Sequence, residues 1–420
     1  MLDLVLADVT LPNGRTADLS IRDGSVVHAG SSLSSRETIR CSGLLCLPGA
    51  VDMHVHMRGG TQQQKEDWRS GSEAALAGGV TLVVDQPNTV PPLTTPDAFT
   101  ARVQEAGARS RCHFAINAGV SPGPDPAMLW RSGAMGFGEL FAAPSSYGEG
   151  IPLPDLAEYL KGIATLGALA TIHAEQVKPG SPDGLGAHDR IRSAAGEVEA
   201  IQSIKAIAGA GGHLHFCHVT SVEALAAAGP ASCEVTPHHL FLSRGDFCDG
   251  DARGKVHPPL RSVNVRAALY WAWDRIPVIA SDHAPHTREE KQPPFADAPS
   301  GVPGVETLMP LLVARVRAGE FSALSVAEKT SWNPSAVLGI PRAGFAPGER
   351  ADLALYPREA VPIRAEILHS RCGWTPFEGR EGVFPELVLL DGKVAYRRGE
   401  FMDAPARWFP GRGYIPRGST

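Results

Sequence analysis

The chain reads as an α/β protein: a (β/α)8 barrel of the TIM type with a small β-sandwich domain built from both termini. Three observations lead there. Eight apolar, strand-like stretches alternate with helical patterns through the middle of the chain, as in a parallel barrel. Short strands with Asn-Gly and Asp-Gly turns occupy the two ends, the pattern of hairpins. The residues best able to do chemistry fall where the barrel strands should end, the face on which such barrels carry their sites. A length of 420 residues exceeds one small core and suits a large barrel plus a smaller unit.

At the N-terminus, Leu4-Val5-Leu6, Leu19-Ser20-Ile21 and Val26-Val27 are short strands separated by Pro12-Asn13-Gly14 and Asp23-Gly24. This meander is too small to stand alone. Its partner is expected in Ala351-Asp352-Leu353-Ala354-Leu355-Tyr356 and in Leu387-Val388-Leu389-Leu390 before Asp391-Gly392. Residues 1–47 and 345–420 therefore form the small domain, with 411–420 as a frayed end, and 48–344 form the barrel. The opening barrel strand is the stretch at 52–58, preceded by the apolar run 44–47. The other seven strands are expected at 81–85, 112–118, 135–141, 169–173, 213–218, 234–237 and 277–281. Helical patterns lie at 65–77, 96–106, 156–166, 190–207, 222–228, 265–274 and 306–318. An open doubly wound sheet is the alternative, but no Gly-x-Gly-x-x-Gly follows the first strand.

Composition narrows the classes of function. The chain is 43% hydrophobic and 20% charged with a net charge of −6. It therefore offers no basic surface for nucleic acid or for an anionic membrane. The start, Met1-Leu2-Asp3-Leu4, lacks the basic head and apolar core of a signal peptide, and no apolar run reaches the length of a membrane span. The 7 cysteines are scattered, with no Cys-x-x-Cys, and read as reduced thiols of a cytoplasmic protein.

The chemistry begins at Asp52-Met53-His54-Val55-His56-Met57-Arg58. On a strand, residues i and i+2 share a face, so His54 and His56 aim two imidazoles at one point and Arg58 follows on that side. Convergent imidazoles suit a zinc-type ion, and a guanidinium can grip a carboxylate with two hydrogen bonds. The fifth strand ends in Ile172-His173-Ala174-Glu175. The sixth ends in His215-Phe216-Cys217-His218, where His218 lies nearest the strand end. The eighth ends in Ser281-Asp282-His283-Ala284-Pro285-His286. Singly, each histidine is more often a structural hydrogen bonder. Together, His54, His56, His173, His218 and Asp282 fall at C-terminal strand ends and make a metal site.

This set resembles the amidohydrolase superfamily and, within it, the dihydroorotases. The resemblance spans nearly the whole chain. It is carried by Pro48-Gly49-Ala50-Val51-Asp52 running into the His54–Arg58 stretch, Lys65-Glu66-Asp67, Gly78-Gly79-Val80-Thr81 and Pro87-Asn88-Thr89. Further carriers are Glu234-Val235-Thr236-Pro237-His238-His239-Leu240, Asp282 to Thr287 with Glu289-Glu290-Lys291, and Trp374-Thr375-Pro376-Phe377-Glu378-Gly379.

The resemblance implies reversible cyclisation of N-carbamoyl-L-aspartate to L-dihydroorotate plus water, in the synthesis of UMP. It implies one or two zinc ions, two being favoured, with His54 and His56 on the more buried ion and His173 and His218 on the more exposed one. Asp282 would be both a ligand and the general base and acid, while Arg58, Asn88 and His286 would hold the substrate. His257 stands at a substrate-side position of the family and reads equally as a ligand contact or an idle loop histidine. The resemblance also suggests a homodimer and association with aspartate transcarbamoylase.

Departures from the family pattern are informative. Many relatives bridge two metals with a carboxylated lysine on strand four, in a Gly-Phe-Lys-x-Phe context; here the stretch is Gly136-Phe137-Gly138-Glu139-Leu140-Phe141. Aligned on the last Phe, Glu139 stands at the lysine and offers the same two oxygens, so it is the expected metal ligand. The other family solution, an Asp just after strand four, is missing from Ala143-Pro144-Ser145-Ser146-Tyr147-Gly148. Gly59-Gly60-Thr61 replaces a more rigid Glu/Asp-Pro-Gly. His238 and His239 are expected to support the site from behind, and Lys65, Glu66 and Asp67 to open a helix, where acids favour the first turn. Two other readings remain: an allantoinase- or hydantoinase-type enzyme, disfavoured by Arg58 with His286, and a non-catalytic partner of aspartate transcarbamoylase, disfavoured by the retained ligands.

Overall fold

The computed structural model describes residues 1–416 except 32–33, 124 and 146–147. Part of the 143–148 stretch and the last four residues of the expected frayed end therefore lie outside the described residues. Eight parallel strands follow one another in chain order: β1 Ala50–Val55, β2 Val80–Asp85, β3 His113–Ile116, β4 Phe137–Phe141, β5 Leu169–His173, β6 His213–Phe216, β7 Ser232–Val235 and β8 Val278–Ile279. β1 to β3 pair in one run and β4 to β8 in another. Bridges between Ala118 and Phe137 and between Val55 and His283 join the two runs, with the His56 amide donating to the His283 carbonyl (2.8 Å). The ring closes as a barrel, which leaves no exposed sheet edge.

The strands are short and apolar because both faces are covered; every residue of β1, β2 and β3 is buried. Along them alternate residues part company. Leu82, Val84 and Ala115 pack with Val51 and Met53, whereas Val83 and Phe114 join the larger core beneath the surrounding helices. Trp68 of the first helix, Trp68–Gly78, meets Phe114 at 5.4 Å between rings.

Both termini build one sheet. Among the described residues its order runs from Glu400–Phe401 through Lys393–Arg397, Leu387–Leu390, Leu353–Tyr356 and Leu45–Pro48 to Leu2–Thr10, Thr16–Arg22 and Ser25–Gly30. The unanticipated strand Ser35–Arg40 also pairs with Leu2–Thr10. The sheet folds over its own core, so Leu4, Leu6, Leu19 and Ile21 share a cluster with Leu353, Leu355, Leu387 and Leu389. Asp23-Gly24 and Asp391-Gly392 both have positive φ (49° and 76°, 45° and 71°), the two-residue hairpin turn that favours this residue pair.

Some expectations shift. The opening barrel strand is displaced: β1 begins at Ala50 and stops at Val55, so Met57 and Arg58 lie beyond it. The 234–237 strand ends at Val235, because Thr236 caps a helix that Pro237 begins. The helix expected at 65–77 starts at Trp68. Asp67 is its N-cap, receiving the Ser70 amide (2.9 Å), while Lys65 and Glu66 precede it. The 190–207 helix breaks into Leu185–Ile191 and Ala194–Ala208, as Ser193 caps the second piece. Within the expected frayed end, Gly411 and Ile415 donate backbone hydrogen bonds to Gly133 and Arg131.

Candidate metal and catalytic site

β4 carries the centre of the site. Gly138, next to Glu139, has φ 130° and lies so close to β5 that a Cβ would sit 2.1 Å from the Thr171 carbonyl oxygen. Only glycine allows that approach, and it places the Glu139 carboxylate among four imidazoles. Glu139 Oε1 lies 2.8 Å from His173 Nδ1 and 2.7 Å from His218 Nε2. Its Oε2 lies 3.4 Å from His54 Nε2 and 4.0 Å from His56 Nε2. Asp282 Oδ1 closes the group at 3.2 Å from His56 Nε2 and 3.6 Å from His54 Nε2. Two possible metal-holding triads result, His54–His56–Glu139 and Glu139–His173–His218, and Glu139 belongs to both. Burial alone would raise the Glu139 carboxyl, but His54, His173 and His218 hold it well below the usual carboxylate range.

The far nitrogens decide whether these groups fit a metal. His54 Nδ1 faces Glu234 Oε1 (2.5 Å), His56 Nδ1 faces Asn88 Oδ1 (2.7 Å) and His173 Nε2 faces Glu175 Oε2 (2.6 Å). Each far nitrogen donates, so each near nitrogen would offer a lone pair to an ion once its own proton is gone. Without an ion those protons stay, since burial is outweighed by the nearby carboxylates, which raise His54 well above the usual histidine range and His173 to about 9; a divalent cation would take their place. Among the described residues His54 Nε2 has no hydrogen-bond partner. The donor set of imidazoles and carboxylates fits zinc or a similar divalent ion.

A third cluster, His113–Asp352–Asp391 at the start of β3, fails the same test. His113 Nδ1 accepts the Arg407 amide (3.0 Å), so its Nε2 carries the proton. Arg350 and Arg407 already grip the two aspartates at 3.0 Å and 2.6 Å.

Three of the candidate side chains leave the strand ends through left-handed backbone: Arg58 (φ 49°), His218 (φ 36°) and Asp282 (φ 47°). Such strain is characteristic of sites that must aim a side chain sharply. Arg58, Asn88, Glu139, His173, His257 and Asp282 all line one cavity, the concave setting a small-ligand site needs. Burial lowers Arg58 to about 10, which still leaves it charged at neutral pH. Among the described residues the buried Asn88 Nδ2 group has no partner, so Asn88 orients His56 with one end and keeps a donor with the other. His257 Nε2 pairs with Ser300 Oγ (2.9 Å), and burial with nearby Arg192 holds it well below the usual histidine range.

His286 does not line the cavity. It sits against Arg58, Nε2 to Nη2 3.5 Å, and near Lys65 (3.3 Å). Burial, aided by Arg58, Lys291 and Lys65, brings it to about 3, so it is a neutral acceptor behind the guanidinium. His239 Nε2 faces the Pro258 carbonyl (3.1 Å), away from the metal-holding groups. Sequence reasoning missed Glu175 and Glu234. Glu234 accepts from His54 and from His215 (3.0 Å), and Glu175 from His173 and from Arg192 (2.6 Å). The available signal was positional: Glu175 stands two residues after His173, and Glu234 lies on the strand beside His215.

No family profile matches the chain. It is 40% identical over 438 residues to a protein of Methanosarcina acetivorans named dihydroorotase, across 96% of this chain and 92% of that one. It is likewise 40% identical over 405 residues to the dihydroorotase of Halobacterium salinarum, across 93% and 96%. Among solved structures, the L-hydantoinase (dihydropyrimidinase) from Arthrobacter aurescens matches with a TM-score of 0.88 at 25% identity, across 97% of this chain and 99% of that one. Dihydropyrimidinase from Brevibacillus agri matches with a TM-score of 0.86 at 23% identity, across 99% and 100%.

Proposed function

Since the chain belongs to the dihydroorotase family of cyclic amidohydrolases, we propose that its cavity interconverts N-carbamoyl-L-aspartate with L-dihydroorotate and water, the ring-closing reaction of pyrimidine synthesis. One observation carries the reading. A buried guanidinium, Arg58, opens on the same cavity as Glu139, His173 and Asp282, so a ring held by its carboxylate presents its amide to the metal-holding groups.

His54 and His56 on one side, and His173 and His218 on the other, would hold zinc, as two ions with Glu139 between them. Zinc bound there supplies a polarised ring carbonyl and a water of lowered pKa. Arg58 takes the substrate carboxylate in a two-pronged grip, and His286 keeps the guanidinium in place from behind. Asn88 Nδ2 donates to the same end of the ligand. Asp282 moves the proton. In the ring-opening direction its Oδ1 takes it from the attacking water and returns it to the ring nitrogen as the carbon–nitrogen bond breaks. In cyclisation the same carboxylate works in reverse. His257 also lines the cavity and is neutral, so it offers a hydrogen bond and no charge. Glu175 and Glu234 fix the rings of His173 and His54 through their far nitrogens, leaving the near nitrogens aimed at the centre that would hold the metal.

The test is turnover of L-dihydroorotate, hydantoin and allantoin on one preparation whose metal content is measured. Dihydroorotate hydrolysis with about two zinc ions per chain is expected. A metal-loaded protein that hydrolyses hydantoin or allantoin and leaves dihydroorotate untouched overturns the reading. The family resemblance further suggests a homodimer and a complex with aspartate transcarbamoylase; sedimentation of the protein alone and with that enzyme tests both.

A further inference from the structure

Two sequence motifs remain outside the mechanism: Lys255, in the run that leads to His257, and Lys291, after Glu289-Glu290. Both side chains are buried, 5% and 6% exposed. No carboxylate bonds either ammonium among the described residues. Instead each ammonium spends three hydrogen bonds on main-chain carbonyls. Lys255 Nζ donates to Phe295 (2.6 Å), Ala296 (3.0 Å) and Ala298 (2.6 Å). Lys291 Nζ donates to Ala252 (3.1 Å), Lys255 (3.3 Å) and Pro299 (2.8 Å). Burying an ammonium is costly, and a loop can be shaped with neutral groups, so the placement of the caged carbonyls is informative.

The carbonyls of Ala298 and Pro299 immediately precede Ser300 and Gly301, which line the cavity. The Lys255 carbonyl receives Lys291 and also the Gly301 amide (3.0 Å). Two residues after Lys255, His257 meets Ser300 Oγ. On its other side, Gly301 lies so close to Ala284, another lining residue, that a Cβ would fall 2.5 Å from the Ala284 oxygen. The Ala284 amide in turn donates to Val302 (2.9 Å). This wall of the cavity is thus made largely of loop backbone, and the two lysines are what ties that backbone down.

We propose that Lys255 and Lys291 are positioning residues that hold the wall formed by His257, Ser300, Gly301 and Ala284 ready-made for the substrate ring. The inference rests on the function proposed above. A preformed wall saves the ordering cost that a loose loop incurs on binding. Its loss therefore weakens substrate binding while leaving the metal-holding residues and Asp282 in place.

Lys255→Met and Lys291→Met keep the length and remove the charge and donors. Each is expected to raise KM for dihydroorotate about tenfold, with zinc per chain unchanged and kcat moved much less. Variants that lose thermal stability but keep the KM of the parent overturn the proposal, as do variants that lose zinc in step with activity. Hydrogen exchange on the unaltered protein needs no variant to fold. The Ala284 and Gly301 amides, bonded to Val302 and Lys255, should be as protected without substrate as the barrel strands, and rapid exchange there quenched only by substrate overturns the proposal. A parent protein without dihydroorotate turnover defeats the proposed function instead, and the exchange result still reads the wall.

Discussion

At Glu139 one carboxylate faces four imidazoles. Glu139→Ala should therefore release metal from both triads. Zinc per chain, measured after desalting, should fall well below that of the parent, and activity should fall with it. Glu234→Gln keeps the shape and removes the charge behind His54; zinc affinity should drop about 10–100-fold in a competition titration against a chromophoric chelator. Glu139 was legible from the sequence because the flanking Phe aligns it with a residue that presents the same two oxygens. Glu175 and Glu234 were not, because an acid near a strand end is common and its value depends on which imidazole nitrogen it meets.

Buried histidines add a dependence on pH. Burial takes His188 to about 4 and His286 to about 3. Folded values below the unfolded one, near 6.5, mean that the unfolded chain binds these protons first. Their contribution is intact above about pH 6.5 and is lost as pH falls toward 4. From these two groups the slope should approach about 2.7 kcal/mol per pH unit. His188→Gln should remove about one proton from it, as read by denaturant unfolding between pH 7 and 5.

At the scale of an element, β4 shows how a strand can be specified by one missing side chain. Gly138→Ala would drive a methyl against the Thr171 carbonyl at a backbone angle that alanine avoids. A loss of about 3 kcal/mol or more is expected in chemical unfolding, with metal lost too because Glu139 is the next residue. The eight strands were legible from their apolar runs; their ends were less so. Thr236 could belong to β7 or cap the next helix, and only its bond with the His239 amide decides. Gly49 is an inconspicuous break between Leu45–Pro48 of the terminal sheet and β1. Its role is visible only where a Cβ would meet the Thr81 side chain at 2.2 Å.

For the molecule as a whole, metal and fold should be coupled. The proposed ligands come from β1, β4 and β5 and from the segments just after β1, β6 and β8, so an ion that binds them would tie the barrel together, and removal with a chelator should lower Tm in a way restored by added zinc. The overall architecture was legible because the alternation of strands and helices runs unbroken for most of the chain. The closing of the terminal sheet was legible only in outline, since no local pattern says that Leu45–Pro48 pairs with Leu353–Tyr356. That pairing has a consequence for biosynthesis. Some 300 residues separate the two strands, and at 5–20 residues per second a ribosome takes roughly 15–60 s to deliver the second after the first. Throughout that interval the N-terminal hairpins present an unpaired apolar edge, so the nascent chain should be most prone to self-association, and most in need of a chaperone, before residue 353 emerges.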